Sequence, residues 1–134
     1  MQGLKVLLVD DEEEFASTLA ERLRLRDIVT LVANDGEQAL RILETERPRV
    51  VVLDVMMPGL GGLDVLQRIR NKHPEIKTIL LTGRGSTKDG IKGMRLGAYD
   101  YMMKPAKIEE LIEKMKEAFE ASKLETDSSE AAGK

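Results

Sequence analysis

Asp10, Asp11, Asp54, Thr82 and Lys104 are the residues of this chain whose types and spacing suit chemistry. Each closes or follows a short apolar run. Leu4 to Val9 leads into Asp10-Asp11, Val50 to Leu53 into Asp54, Thr78 to Leu81 into Thr82, and Tyr99 to Met103 into Lys104-Pro105. Three carboxylates, a hydroxyl and an ammonium gathered at one sheet edge could handle a phosphoryl group. Clustered carboxylates repel, and one of them is driven to keep its proton. A divalent cation relieves that repulsion. An oxygen donor set without His or Cys favours Mg2+, which uses one or two carboxylates and keeps several waters.

A carboxylate can itself attack phosphorus to give an acyl phosphate. Phosphoryl transfer asks mainly for positioning and neutralisation of charge. Asp54 leaves the most apolar run and is the candidate nucleophile, with Lys104 to neutralise charge and Thr82 to hold an equatorial oxygen. Taken singly, each residue has a plainer reading. Asp10-Asp11 could cap a helix whose first turn holds Glu12, Glu13 and Glu14. Asp54 could start the turn at Met56-Met57-Pro58-Gly59, Thr82 could be a helix cap, and Lys104 could be a solvated surface residue. The pattern as a set is what points to phosphoryl chemistry. Pro105 follows Lys104 directly, and an X-Pro bond can be cis.

The elements that must position these residues follow from periodicity. Apolar runs rich in Val, Leu and Ile show little alternation, as in strands buried on both faces. They predict strands over 4–9, 28–32, 50–54, 77–82 and 99–103, with helices over 12–25, 35–46, 62–72, 86–96 and 107–121. Ile108, Leu111, Ile112, Met115, Ala118 and Phe119 make one apolar stripe on the last helix. Asp35-Gly36 opens the second helix, and Pro74 stops the third. Five βα units in succession imply an α/β fold, a parallel sheet with helices on both faces. Such sheets bind ligands at the carboxyl ends of their strands, where all five candidate residues fall. Gly85, Gly90, Gly93 and Gly97 in or beside the fourth helix predict a short, frayed or mobile element. Residues 122–134 carry few apolar side chains and are expected to be a disordered tail or a linker remnant.

Bulk composition narrows the possibilities. The 134 residues fit one domain. A net charge of -3 with dispersed Lys and Arg gives no basic face for direct nucleic-acid binding. The absence of cysteine removes disulfides, thiolate zinc sites and thiol catalysis, and a lone His73 removes multi-histidine metal sites. No apolar run approaches a membrane span, and no signal peptide is present, so a cytoplasmic location is expected. No Walker A motif occurs, and Val9-Asp10-Asp11 stands where a dinucleotide-binding loop would need glycines.

Four segments together carry a family resemblance: VLLVDDE (Val6 to Glu12), LDVMMPGLGGLDVL (Leu53 to Leu66), LLTGRG (Leu80 to Gly85) and GAYDYMMKP (Gly97 to Pro105). In order and spacing the chain resembles a response-regulator receiver domain, the CheY-like module of two-component signalling, over residues 4 to about 121. The resemblance implies a doubly wound, flavodoxin-like fold: a five-stranded parallel sheet in order 2-1-3-4-5 with five flanking helices. It divides the chain into a receiver domain, 1–121, and the tail, 122–134. It makes Asp54 the phosphoacceptor. Asp10, Asp11, Asp54 and the Met56 carbonyl would then be Mg2+ ligands. Lys104 would contact the phosphoryl group, and Thr82 with Tyr101 would form the switch pair. A sensor histidine kinase or phosphotransfer protein would be the donor, and a downstream protein or output domain the recipient of the signal. Such a domain is a regulatory phosphoacceptor, not an enzyme.

Some positions depart from the common pattern. Met56 and Arg84 stand where the family tunes dephosphorylation, which suggests that Arg84 leans toward the phosphoryl group and Met56 limits water attack. Ala106 replaces a phenylalanine often found after Lys-Pro. Two other functions compete. A Mg2+-dependent phosphatase working through an aspartyl-phosphate usually carries Asp-x-Asp, and Asp54-Val55-Met56 lacks the second acid. A pseudo-receiver that only binds partners would not need Asp54, Thr82 and Lys104 intact.

Overall fold

The structure, a computed structural model, describes residues 3–83 and 87–132, the side chains of 125–132 excepted. Strands β1 (Lys5–Val9), β2 (Val29–Ala33), β3 (Val50–Asp54), β4 (Lys77–Thr82) and β5 (Asp100–Met103) alternate with helices α1 (Glu13–Arg24), α2 (Gly36–Glu46), α3 (Gly62–Lys72), α4 (Thr87–Arg95) and α5 (Ile108–Ala132). The strands form one parallel sheet in the order β2-β1-β3-β4-β5, as expected.

The unalternating apolar runs have the cause inferred from sequence. Every residue of β3 is buried, because both faces of the sheet are covered. Leu4, Val6, Leu8, Val50, Val52, Ile79 and Leu81 pack with Leu111, Met115 and Ala118 on the α1–α5 face. Leu7, Val9, Val51, Leu53 and Leu80 pack with Leu43, Val65 and Ile69 on the opposite face. Each such aliphatic side chain contributes about 1.5–3 kcal/mol through burial. Along β3 the side chains alternate between these two cores until Asp54, whose carboxylate stands at the strand's carboxyl end.

Asp35 caps α2 by accepting a hydrogen bond from Gln38 N at 2.7 Å, while Gln38 Oε1 accepts from Asn34 N at 2.8 Å. This reciprocal pair satisfies orphan amides at the helix start. Helix α4 is short, with nine residues, but its glycines have a packing reason. A methyl group on Gly93 would collide with Leu80 Cδ1, and one on Gly90 would lie 2.5 Å from the Tyr101 ring. The glycines let α4 lie close on β4 and β5. Gly85 falls outside the described residues.

The last helix differs in its bound from the expected 107–121: it runs to Ala132. Little apolar surface is needed for this, since extending an existing helix avoids the cost of nucleation. Lys123, Leu124, Glu125, Glu130, Ala131 and Ala132 are good helix formers, and no Gly or Pro occurs before Gly133. Ser122 fixes the helix where it leaves the core: its hydroxyl donates to the Glu75 carbonyl at 3.0 Å and accepts from Arg49 at 3.3 Å.

Candidate functional site

The carboxyl ends of β1, β3, β4 and β5 bring the sequence-predicted residues to one edge. Asp10 follows β1, Asp54 is the last residue of β3, Thr82 is the last of β4, and Lys104 follows β5. Backbone hydrogen bonds hold these ends in register. Asp10 N donates to Ala33 O at 3.0 Å, Val55 N to Leu81 O at 3.0 Å, and Lys104 N to Thr82 O at 2.8 Å. The Lys104–Pro105 peptide bond is cis.

Lys104 binds the acids together. Its ammonium lies 2.7 Å from Asp10 Oδ2, 3.2 Å from Glu12 Oε1 and 3.5 Å from Asp54 Oδ1. Asp10 and Asp54 are almost fully buried, at 1% and 3% exposure, so their charges are poorly screened. Asp10 Oδ1 also accepts from Glu12 N at 2.9 Å, so the plainer reading of Asp10 as a cap of the following turn is partly right. Asn34 donates to the Asp10 carbonyl at 3.1 Å and steadies the same turn. Asp54 Oδ1 receives a weak bond from Met56 N at 3.3 Å.

Burial pushes the Asp54 carboxyl up to about 6, and the Asp10 charge adds to the rise; Lys104 and the Met56 amide oppose it, and Asp11 adds a smaller upward push. Burial would lower the Lys104 ammonium, but the Asp10 hydrogen bond and the charges of Asp54 and Asp10 outweigh it, leaving the group above its ordinary value. Burial is the largest influence on both groups; at Asp54 the neighbouring acids add to it, and at Lys104 they outweigh it.

The donor set fits a hard divalent cation. Among the described residues, Asp10, Glu12 and Asp54 each offer a carboxylate oxygen, all within 4.8 Å of one another. Asp11, expected as a ligand, is partly exposed beside them and outside that trio. Glu12 is the acid that sequence reasoning missed. It was read as part of an acidic first turn, yet it is the N-cap position of α1 and its side chain turns back to Lys104. Its signal was its place immediately after the Asp10-Asp11 pair.

Thr82 is fully buried, with its hydroxyl 3.4 Å from the Met102 carbonyl. Tyr101 lies on the neighbouring strand, paired with Leu80, and its ring is half-buried against Gly90. Met56 is 64% exposed. Arg84, expected to lean toward a phosphoryl group, falls outside the described residues.

Comparison with known proteins gives the same picture. The pattern of the response regulator receiver domain matches residues 6–116. The transcriptional regulatory protein CpxR of Klebsiella pneumoniae is 44% identical over 112 residues, which is 84% of this chain and 47% of CpxR. The response regulator MprA of Mycobacterium ulcerans is 35% identical over 93% of this chain and 54% of its own length. The chain thus spans about half the length of the curated relatives it matches. Among solved structures, the receiver domain of Francisella response regulator 1452 superposes with a TM-score of 0.81 at 34% identity, covering 88% of this chain and 98% of that one. The receiver domain of NtrX from Brucella abortus gives 0.82 at 34% identity, covering 86% and 98%.

Proposed function

The chain belongs to the response regulator receiver domain family, and from that premise we propose that it is a phosphorylation-dependent switch with Asp54 as its phosphoacceptor. The observation that carries the proposal is the buried Asp54 carboxylate at a strand end, 3.5 Å from Lys104 and grouped with Asp10 and Glu12.

In the proposed reaction an Asp54 oxygen forms the bond to phosphorus. The bond between phosphorus and the donor nitrogen of a phosphohistidine breaks, and its electron pair stays on the departing imidazole. Asp54 needs to be ionised for this, and the positive charge of Lys104 favours the carboxylate form. Lys104 then turns from Asp10 toward a phosphoryl oxygen. Asp10, Asp11, Asp54 and the Met56 carbonyl would hold Mg2+, with Glu12 close enough to contribute. When bound, the ion supplies the positive charge that stabilises the phosphoryl oxygens.

The bound phosphoryl group changes the charge next to Thr82 and biases two states of the face built from α4, β5 and α5. The Thr82 hydroxyl exchanges the Met102 carbonyl for a phosphoryl oxygen, and the Tyr101 ring on Gly90 relays the movement to α4. The donor is a histidine kinase or phosphotransfer protein in the cytoplasm. Residues 1–121 are the receiver unit and 122–134 a tail or linker remnant; a downstream protein or output domain receives the signal. Relatives that are transcriptional regulatory proteins favour a transcriptional output, with nucleic acid bound outside this domain. No helix among the described residues is long and apolar enough to cross a membrane.

Incubation with acetyl phosphate and Mg2+, read by intact mass, tests the proposal. One stable phosphoryl group is expected, lost in Asp54→Asn. Continuous turnover without a stable adduct, or no reaction, would overturn it.

A further inference from the structure

We propose that Phe15 is a positioning residue for Lys104, holding the ammonium over the Asp10–Asp54 pair without consuming any of its hydrogen-bond donors. The kinetic consequence rests on Asp54 being the phosphoacceptor; the positioning itself does not.

Phe15 is in the first turn of α1, and the Lys104 ammonium stands 4.6 Å from its ring centroid. The lysine side chain is only 17% exposed, so the attraction between charge and ring face acts in a partly desolvated place. Three carboxylate oxygens surround the same nitrogen, on Asp10, Glu12 and Asp54. An ammonium has three N–H donors. To bind a phosphoryl oxygen, Lys104 must release one of these acids. A lysine on a flexible four-carbon stem would be free to swing away during that exchange. The ring contact is nearly indifferent to which oxygens take the protons, so it persists while the partners change.

The ring itself is well anchored. Phe15 packs on the α1–α5 core, and the turn before α1 is fixed by the bond from Glu12 N to Asp10 Oδ1. Phe15 and Leu19 line one side of a groove of about 340 Å3, with Ala106, Ile108 and Leu111 on the other. Ala106, two residues beyond Lys104, lines the same groove as the Phe15 ring.

Two variants separate positioning from packing. Phe15→Leu keeps an apolar side chain but removes the π face; Phe15→Tyr keeps the face. Two readouts are followed: the NMR shift of the Lys104 Hε protons, which an overlying ring displaces, and the initial rate of Asp54 labelling by acetyl phosphate with Mg2+. In Phe15→Leu the ring-induced shift should vanish and labelling should slow about three- to tenfold, the range expected for a desolvated cation–π contact. Phe15→Tyr should retain both. The inference fails if Phe15→Leu leaves the Lys104 resonance unmoved or labels at the wild-type rate, or if Phe15→Tyr is as slow as Phe15→Leu. Wild type that takes no label would overturn the phosphoacceptor reading instead, and the Lys104 resonance alone would then decide the role of Phe15.

Discussion

Lys104 stands closer to Asp10 than to Asp54, 2.7 Å against 3.5 Å, although Asp54 is the residue whose ionisation the site opposes most. The lysine therefore serves first as a counterion for the strand β1 acid. Asp54 is left partly uncompensated. Burial sets the cost of its charge, and a shortage of positive charge at the strand end adds to it.

That shortage predicts a stability gain on removing the Asp54 charge. The folded-state value of about 6 lies above the ordinary carboxyl value of 3.8, so the folded protein holds the proton more tightly. The associated stability is fully present below about pH 4 and is lost as pH rises through about 6. Metal-free Asp54→Asn should be more stable than wild type at pH 7, by on the order of 2 kcal/mol, and the gain should fade toward pH 4. Urea unfolding in the presence of a chelator measures this. An equal or lower stability at pH 7 would contradict the charge argument.

The opposite sign is expected at Lys104. Lys104→Met leaves Asp10 and Asp54 buried side by side with no cation. Breaking a buried ion pair from one side costs about 3 kcal/mol or more. Metal-free Lys104→Met should lose stability of that order at pH 7, and saturating Mg2+ should restore most of it. Failure of Mg2+ to restore stability would mean that the acids do not form its site.

Calorimetric titration with Mg2+ distinguishes the acids. Asp10→Asn removes a buried carboxylate and should abolish measurable binding. Asp11→Asn should weaken it about tenfold, equivalent to about 1.4 kcal/mol. Glu12 is 66% exposed in its side chain, where ion pairs contribute about 0–1 kcal/mol, so Glu12→Gln should cost a few-fold at most. A larger loss in Glu12→Gln than in Asp11→Asn would exchange their roles.

Gly90 and Tyr101 should be coupled. Gly90→Ala favours the helix by about 1 kcal/mol, but its methyl group would meet the Tyr101 ring. Overpacking costs about 1–3 kcal/mol, so the single variant should be destabilised. In a Tyr101→Ala background the same change should become neutral or stabilising. A double-mutant cycle with no coupling would show that the ring leaves α4 freely.

The sequence made the sheet legible because β1, β3 and β4 are buried on both faces and need unbroken apolar runs. It made Asp10, Asp54 and Thr82 legible because each ends or follows such a run at its carboxyl end, and Lys104 because it stands before Pro105 at the end of the shorter, less buried β5. Glu12 and Phe15 were hidden by an ordinary amphipathic helix start, where acids and an apolar residue need no special cause. Their contact with Lys104 joins residues about ninety positions apart, which no local pattern records. Gly90 and Gly93 read as weakness because helix propensity counts only the backbone; the reason for them is across the interface, in Tyr101 and Leu80. The end of α5 lies beyond the apolar stripe because residues that prolong a helix already formed need no buried face.

The most direct test is to locate the phosphoryl group chemically. The protein is treated with acetyl phosphate and Mg2+, reduced with borohydride, digested and sequenced by mass spectrometry. An acyl phosphate on Asp54 is reduced to homoserine, so homoserine at position 54, absent when Mg2+ is chelated, is the predicted result. Homoserine at Asp10 or Asp11, or unmodified aspartate at position 54, would contradict the account.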